Sequence, residues 1–237
     1  MLDSQRGKSL NNLEKKLKIL FNDINLLDQA LTHKSYSYEK KQNNFKDNER
    51  LEFLGDAVLK LVISHYLIEK YPMKDEGDLT RIRAIIVSDN YLAKIAEKIS
   101  LGTYLLLSEN EKKTGGQKRK SNIANAMEAV FGAAFLDGGI NAAEKVIILL
   151  LNKYIEELVE SEEIVDHKSM LQELVQGRKW DLPVYNVVKE TGPDHKKRFY
   201  IEVEVMSGGK KWIGRGDSNT KKEAEQKAAQ DILKKIK

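Results

Sequence analysis

The stretch Asn48-Glu-Arg-Leu-Glu-Phe-Leu-Gly-Asp56 opens the longest helical pattern in the chain, 48–70, and the rest of the reading grows from it. At about 100° per residue, Glu49, Glu52 and Asp56 fall within roughly 60° of one another. Leu51, Leu54, Val58, Leu61 and Val62 are expected on the opposite, core-facing side. Three carboxylates on one stripe repel, at roughly a few tenths of a kcal/mol per like-charge pair. A solvated face is the ordinary explanation for such a stripe. Here Phe53, Leu59 and Ile63 flank or extend it, and in water their apolar area would be wasted. Acids clustered among apolar neighbours call for a counter-cation, and a divalent metal is the simplest.

A second helical pattern, Asn122 to Leu136, carries Asn125 and Glu128 at i, i+3, with Met127, Val130 and Phe131 elsewhere around it. If the two helices pack side by side, Glu52, Asp56, Asn125 and Glu128 share an all-oxygen site suited to Mg²⁺, with Mn²⁺ as substitute. Such a site can activate water and stabilise the departing oxygen of a phosphodiester.

Working outward, apolar residues at three- and four-residue spacing predict helices at 10–20, 26–33, 48–70, 78–86, 89–99, 122–136 and 140–159. His33 and His65 fall in apolar helical patterns and are expected in the core rather than as ligands. The acidic segment 160–167 is expected to be a linker. Beyond it the pattern changes to a helix (168–178), strands at Tyr185–Lys189, Phe199–Met206 and Lys211–Arg215, and a last helix (221–236). The fold class is therefore mainly α: an all-helical domain, 1–159, followed by a small α-β-β-β-α domain, 168–237.

Composition narrows the function further. With no cysteine among 237 residues, disulfides, thiolate metal sites and cysteine nucleophiles are excluded. The N-terminal segment offers no apolar core for a signal peptide, and the longest apolar run, Val146 to Leu151, is too short for a bilayer. A cytoplasmic protein with no membrane partner is expected. From Asp166 onward there are 16 Lys/Arg against 11 Asp/Glu, while the first 165 residues hold 24 against 25. A basic third behind a near-neutral body suits a polyanion, although a solubilising surface accounts for the charge equally well.

The C-terminal third carries the parts such a partner needs. Gln172 and Gln176 sit at i, i+4 opposite Leu171, Leu174 and Val175, leaving a polar helix face. Gly192-Pro-Asp-His195 is a turn between strands, followed by Lys196, Lys197 and Arg198. Thr220-Lys-Lys-Glu223 forms a capping box that places Lys221 and Lys222 in the first turn of the last helix, where amides and dipole already favour phosphate. Face, turn and helix start together suit A-form RNA. The basic loop Lys112–Lys120 lies just before the helix bearing Asn125 and Glu128, where it serves either to hold RNA backbone or as a solvated loop.

The nine residues at 48–56 resemble the signature of the ribonuclease III family, and they do not stand alone. Ala30-Leu-Thr-His-Lys-Ser35, Glu76-Gly-Asp-Leu-Thr80, Gly115-Gly116, Ala124-Asn-Ala-Met-Glu-Ala129 and Leu136-Asp-Gly-Gly139 are similar to family motifs, in family order. Residues 168–237 resemble a double-stranded-RNA-binding domain, so the likeness is to the bacterial two-domain form. It implies that 1–159 is a nuclease domain, that Glu52 and Glu128 ligate metal, and that Asp56 and Glu128 are most directly needed for catalysis. Glu49 and Glu76 would support the site from its edge, and Gln172, Gln176, His195, Lys221 and Lys222 would contact RNA. Phe53, about 40° from Glu49 on the acidic side, would enter the partner of a homodimer. The implied activity is hydrolysis of double-stranded RNA to 5′-phosphate and 3′-hydroxyl ends, with staggered cuts, in ribosomal and other RNA processing. The chain departs from the family where an aspartate is usual and Asn125 stands. That leaves a rival of another class, a double-stranded-RNA-binding protein with an impaired site. A carboxylate metal-storage bundle is a third reading, which leaves the basic module without a role.

Overall fold

The computed structural model describes residues 3–40, 46–161, 167–193 and 197–236. The chain divides into two compact units, 1–164 and 165–237. The segment 162–166, most of the expected linker, lies outside the described residues.

The first unit is helical throughout: α1 (Ser4–Leu17), α2 (Ile24–Ala30), α3 (Lys34–Glu39), α4 (Glu49–Lys70), α5 (Glu76–Ile86), α6 (Asp89–Lys98), α7 (Glu109–Lys113) and α8 (Lys120–Glu160), with 3-10 turns at Leu101–Tyr104 and Gly116–Lys118. Side-chain caps begin several of them. Asp3 accepts from the Arg6 amide at 2.7 Å, Asp75 from Asp78 at 2.8 Å and Ser108 from Glu111 at 3.2 Å. The first helix starts earlier than its apolar spacing predicts and ends sooner, because Lys18 takes a left-handed conformation with φ 51°. Two short helices, α3 and α7, went unread.

The core is built on α4 against α8, and two glycines set their separation. A Cβ on Gly55 would stand 1.8 Å from the Glu128 carbonyl oxygen, and one on Gly132 would stand 2.2 Å from that of Leu51. The two backbones therefore touch, which only residues without a side chain permit. Around this seam Leu51, Val58, Leu59, Val62 and Ile63 of α4 and Ala124, Met127, Val130 and Phe131 of α8 are buried. This corrects the expected face. Leu59 and Ile63, placed beside the acids, are fully buried, whereas Leu61, placed in the core, is 60% exposed. The buried arc of α4 centres on Gly55, so it turns toward the acidic stripe and leaves Leu61 outside.

Between 120 and 160 the helix breaks at Gly138 (φ −137°) and Gly139 (φ 71°), as the two separate predicted helices require. The Asp137 carboxylate pins the break, accepting the amides of Asn22 at 2.9 Å and Asp23 at 2.8 Å. Neither expected core histidine is one. His33 is the half-buried N-cap of α3, its ring accepting the Ser35 amide at 3.2 Å, and His65 is exposed on α4.

The second unit is α9 (His167–Gly177), β1 (Val184–Thr191), β2 (Arg198–Ser207), β3 (Lys210–Ser218) and α10 (Lys221–Ile236). The strands form one antiparallel sheet in the order β1-β2-β3, with a bulge between Val187 and Lys189. Gly208 (φ 55°) and Gly209 (φ 87°) make the two-residue turn between β2 and β3. Leu171, Val175, Ile201, Val203, Val205, Ala228 and Ile232 form its core, and Trp180 stacks on Trp212 at 6.5 Å beside it. α10 lies directly on β3, since a Cβ on Gly214 would meet the Ala228 carbonyl oxygen at 2.3 Å.

Candidate active site

The α4–α8 seam brings Glu52 and Asp56 beside Asn125 and Glu128. Asn125 donates its side-chain amide to the Glu52 carboxylate. Glu52 is nevertheless pushed above its ordinary carboxylate range, first by burial and then by the charge of Glu49. Glu128, only 9% exposed, is pushed up to about 8. Burial is the largest cause, followed by the charges of Asp56, Glu52 and Asp89, with Lys60 opposing.

Around this pair the acids differ in partners. Asp56 is held by Lys60, Nζ to Oδ2, at 2.7 Å. Glu49 pairs with Lys34 at 2.9 Å at the head of α4. Glu76 is exposed in the first turn of α5 and accepts the Thr80 hydroxyl at 2.9 Å. Asp89 was not singled out by the sequence reading, yet it is the α6 acid whose charge raises both Glu52 and Glu128. Its signal was available: it opens α6, whose other face is buried at Leu92, Ala93, Ile95 and Ala96. What the sequence could not supply was the neighbour that α6 packs against.

The oxygens of these acids dominate the cluster, and burial together with the neighbouring negative charges holds the Glu128 carboxyl well above its ordinary range. That chemistry fits a hard divalent cation. The side chains are not yet arranged around one. Among the described residues, no group of three or more His, Cys, Asp or Glu side chains is gathered as a metal would need. Asp56 is instead engaged by Lys60, and the Glu52 carboxylate by the Asn125 amide.

Phe53 is 82% exposed. With Leu61 and Ile68, also exposed, it forms an apolar stripe along α4 within roughly 80°. The basic segment before α8 is more ordered than a loop. It contains α7 and a 3-10 turn, and the Glu111 carboxylate ties it together by accepting from Asn122 at 3.0 Å and from Arg119.

In the second unit Gln172 and Lys222 line one depression of about 280 Å³ with Lys168, Tyr185 and Gln226. Gln176 is exposed one turn along α9 from Gln172. Thr220 caps α10, accepting the Glu223 amide at 3.2 Å, while the Glu223 carboxylate accepts the Ser218 hydroxyl at 2.5 Å. Lys221 and Lys222 are exposed in the first turn. His195 lies outside the described residues. Among them, no helix is long and apolar enough to cross a membrane.

Comparison with known proteins agrees with both units. The family described as "Ribonuclease-III-like" matches residues 23–155, and "Double-stranded RNA binding motif" matches residues 167–236. The chain is 44% identical to Ribonuclease 3 of Natranaerobius thermophilus over 97% of each chain. It is 42% identical to that of Fusobacterium nucleatum over 97% of this chain and 96% of the relative. A solved nuclease domain of ribonuclease III from Campylobacter jejuni, described as flexible in a region involved in dimer formation, aligns with a TM-score of 0.56 at 42% identity, covering 61% of this chain and 96% of that one.

Proposed function

The chain belongs to the ribonuclease III family, and from that premise we propose that it is an endoribonuclease whose α4–α8 acids hold divalent metal and cleave double-stranded RNA. One observation carries the assignment: Glu128 is buried beside the acids Asp56 and Glu52 on the α4–α8 seam, and burial and their charges push it up to about 8. Acids gathered in a buried seam, one of them strongly shifted, support a functional site that takes a cation.

In this reading Glu52, Asn125 and Glu128 are the ligands, and Asp56 and Glu128 are most directly needed for catalysis. Glu49 and Glu76 support the site from its edge, and Asp89 adds negative potential from α6. A bound Mg²⁺, or Mn²⁺ in its place, would stabilise charge on the attacking and departing oxygens of the phosphodiester. Lys60, paired with Asp56 at 2.7 Å, supplies a cation at the edge of the same cluster. Burial of Glu128 keeps bulk water from screening the cluster. The products carry 5′-phosphate and 3′-hydroxyl ends.

Residues 168–237 grip the duplex through Gln172, Gln176, His195, Lys221 and Lys222, with 160–167 as linker and 1–159 as the nuclease domain. The stripe containing Phe53 closes a homodimer, so that each subunit cuts one strand and the cuts are staggered. Ribosomal-RNA precursors in the cytoplasm are the substrates this assignment favours.

Asn125 favours a second reading, binding without efficient cleavage, because it brings an oxygen but no charge. Cleavage of labelled duplex RNA under single-turnover conditions, titrated with Mg²⁺ and with Mn²⁺, separates the two. The parent chain should cut slowly at low Mg²⁺ and recover with more Mg²⁺ or with Mn²⁺. Asn125→Asp should be faster at limiting metal, and Glu128→Gln should be inactive. A parent chain that binds duplex but never cuts establishes the second reading. Equal rates and metal dependence for Asn125→Asp would remove this side chain from the ligand set.

A further inference from the structure

Glu190, near the end of β1, stands between the two basic segments of the second unit. Its Oε2 lies 2.8 Å from the Lys197 ammonium and its Oε1 lies 3.2 Å from that of Lys221. Lys197 leads from the β1–β2 turn into β2, whereas Lys221 is the first residue of α10. Glu190 is paired in register with Phe199, and both ammonium groups also sit over that ring, Lys197 at 5.9 Å and Lys221 at 5.3 Å from its centroid. One carboxylate and one aromatic face therefore fix two lysines from different elements.

A negative charge here is unexpected on electrostatic grounds alone. The surface is basic and its ligand is a polyanion, so an acid between two phosphate-seeking cations should weaken binding. It also has an opposite effect. The Lys221 ammonium, held by the Glu190 carboxylate, still has N–H groups to offer phosphate, and part of each lysine's side-chain freedom is surrendered before RNA arrives. On A-form RNA the turn and the helix start meet different grooves, so their spacing has to be set beforehand.

We propose that Glu190 is a positioning residue for duplex recognition, a strut that locks the exit of the β1–β2 turn to the N-terminus of α10 and presents Lys197 and Lys221 together. The inference rests on the assignment of this unit to double-stranded RNA. Its sign separates it from simple charge effects. Removing an acid from an RNA-binding surface should tighten binding, and loss of a strut should loosen it.

The test uses the full chain and a fluorescent RNA duplex longer than the ~16 base pairs such a domain spans. EDTA prevents cleavage, and anisotropy is followed across salt concentrations. Glu190→Ala should bind about three- to tenfold more weakly, with a salt slope lower by about one unit or less, because Lys221 no longer meets its phosphate in register. Glu190→Gln, which keeps an acceptor, should lose less. Glu190→Ala added to the pair Lys197→Ala with Lys221→Ala should cost little more than that pair alone, since the acid acts through those two lysines. Unchanged near-ultraviolet circular dichroism from the Trp180–Trp212 stack will show that the unit is folded, and if Glu190→Ala fails that check Glu190→Gln decides. Binding as tight as the parent or tighter, or losses that simply add, would overturn the strut. A parent chain with no duplex affinity would instead overturn the assignment beneath it.

Discussion

Glu128 ties protonation to stability and, in the proposed site, to metal uptake. Its carboxyl rises from an ordinary 4.5 to about 8, and Glu52 moves in the same direction. Below about pH 4.5 the acid is protonated in folded and unfolded chains alike and contributes no pH dependence. Between about 4.5 and 8 the folded chain keeps a proton that the unfolded chain has released, so metal-free stability must fall as pH rises through that window. Thermal melts in EDTA should show Tm decreasing from pH 5 to pH 8. Glu128→Gln should flatten the decline and raise Tm at pH 8 by roughly 4 °C or more. A parent Tm independent of pH would contradict the placement of this side chain. If Glu128 takes the proposed metal, binding would also expel its proton, so at pH 7 the parent should release about one proton per site while Glu128→Gln releases none. Calorimetry in buffers of different ionisation enthalpy reads this directly. At this scale the acids of α4 and α8 were legible because helical spacing is local. Asp89 was not, since its relevance lies in a fold-dependent approach to Glu52 and Glu128.

The helices that hold these residues are set by absent atoms. Gly55 and Gly132 let α4 and α8 meet backbone to backbone, and no rotamer change can make room for a methyl group against a carbonyl. Gly55→Ala should destabilise the first unit by about 1–3 kcal/mol or more. It should also weaken metal binding, because pushing the helices apart separates Glu52 and Asp56 from Asn125 and Glu128. Urea unfolding and a metal titration check the two effects, and an unchanged midpoint would refute the close crossing. Long helices with sustained periodicity could be read from the sequence, α4 and both halves of α8 included, and so could the strands of the second unit. The six residues of α3 and five of α7 could not, being too short to show a period. The error at Leu61 has a cause of the same kind. Leucine placement was judged from opposition to the acids, whereas the contact through Gly55 rotates the buried arc toward them.

For the molecule as a whole, the stripe of Phe53, Leu61 and Ile68 is the feature with most to say about assembly. Exposed large apolar side chains aligned on one helix face are the kind of surface a second copy can cover. Phe53→Ala should cost about 3 kcal/mol or more of dimer stability if the ring is buried by a second copy. Sedimentation should show a dimer for the parent at micromolar concentration and a shift toward monomer for the variant; a monomeric parent would exclude this use of the stripe. RNA capture belongs to the other unit. Lys221→Ala with Lys222→Ala should weaken duplex binding and lower its salt slope by up to about two units, leaving Tm of the helical unit unchanged. Undiminished affinity at every salt concentration would remove these lysines from the interface.

The glycine crossing also has a consequence in time. The amides of Gly55 and Gly132 sit where the two backbones touch with no side chain between them, so only separation of α4 from α8 should expose them. Their hydrogens should be among the last to exchange with deuterium, while those of α3 and α7 exchange early. The proposed catalytic carboxylates would then be carried by the slowest-breathing part of the unit. Their spacing should persist while its periphery opens and closes many times.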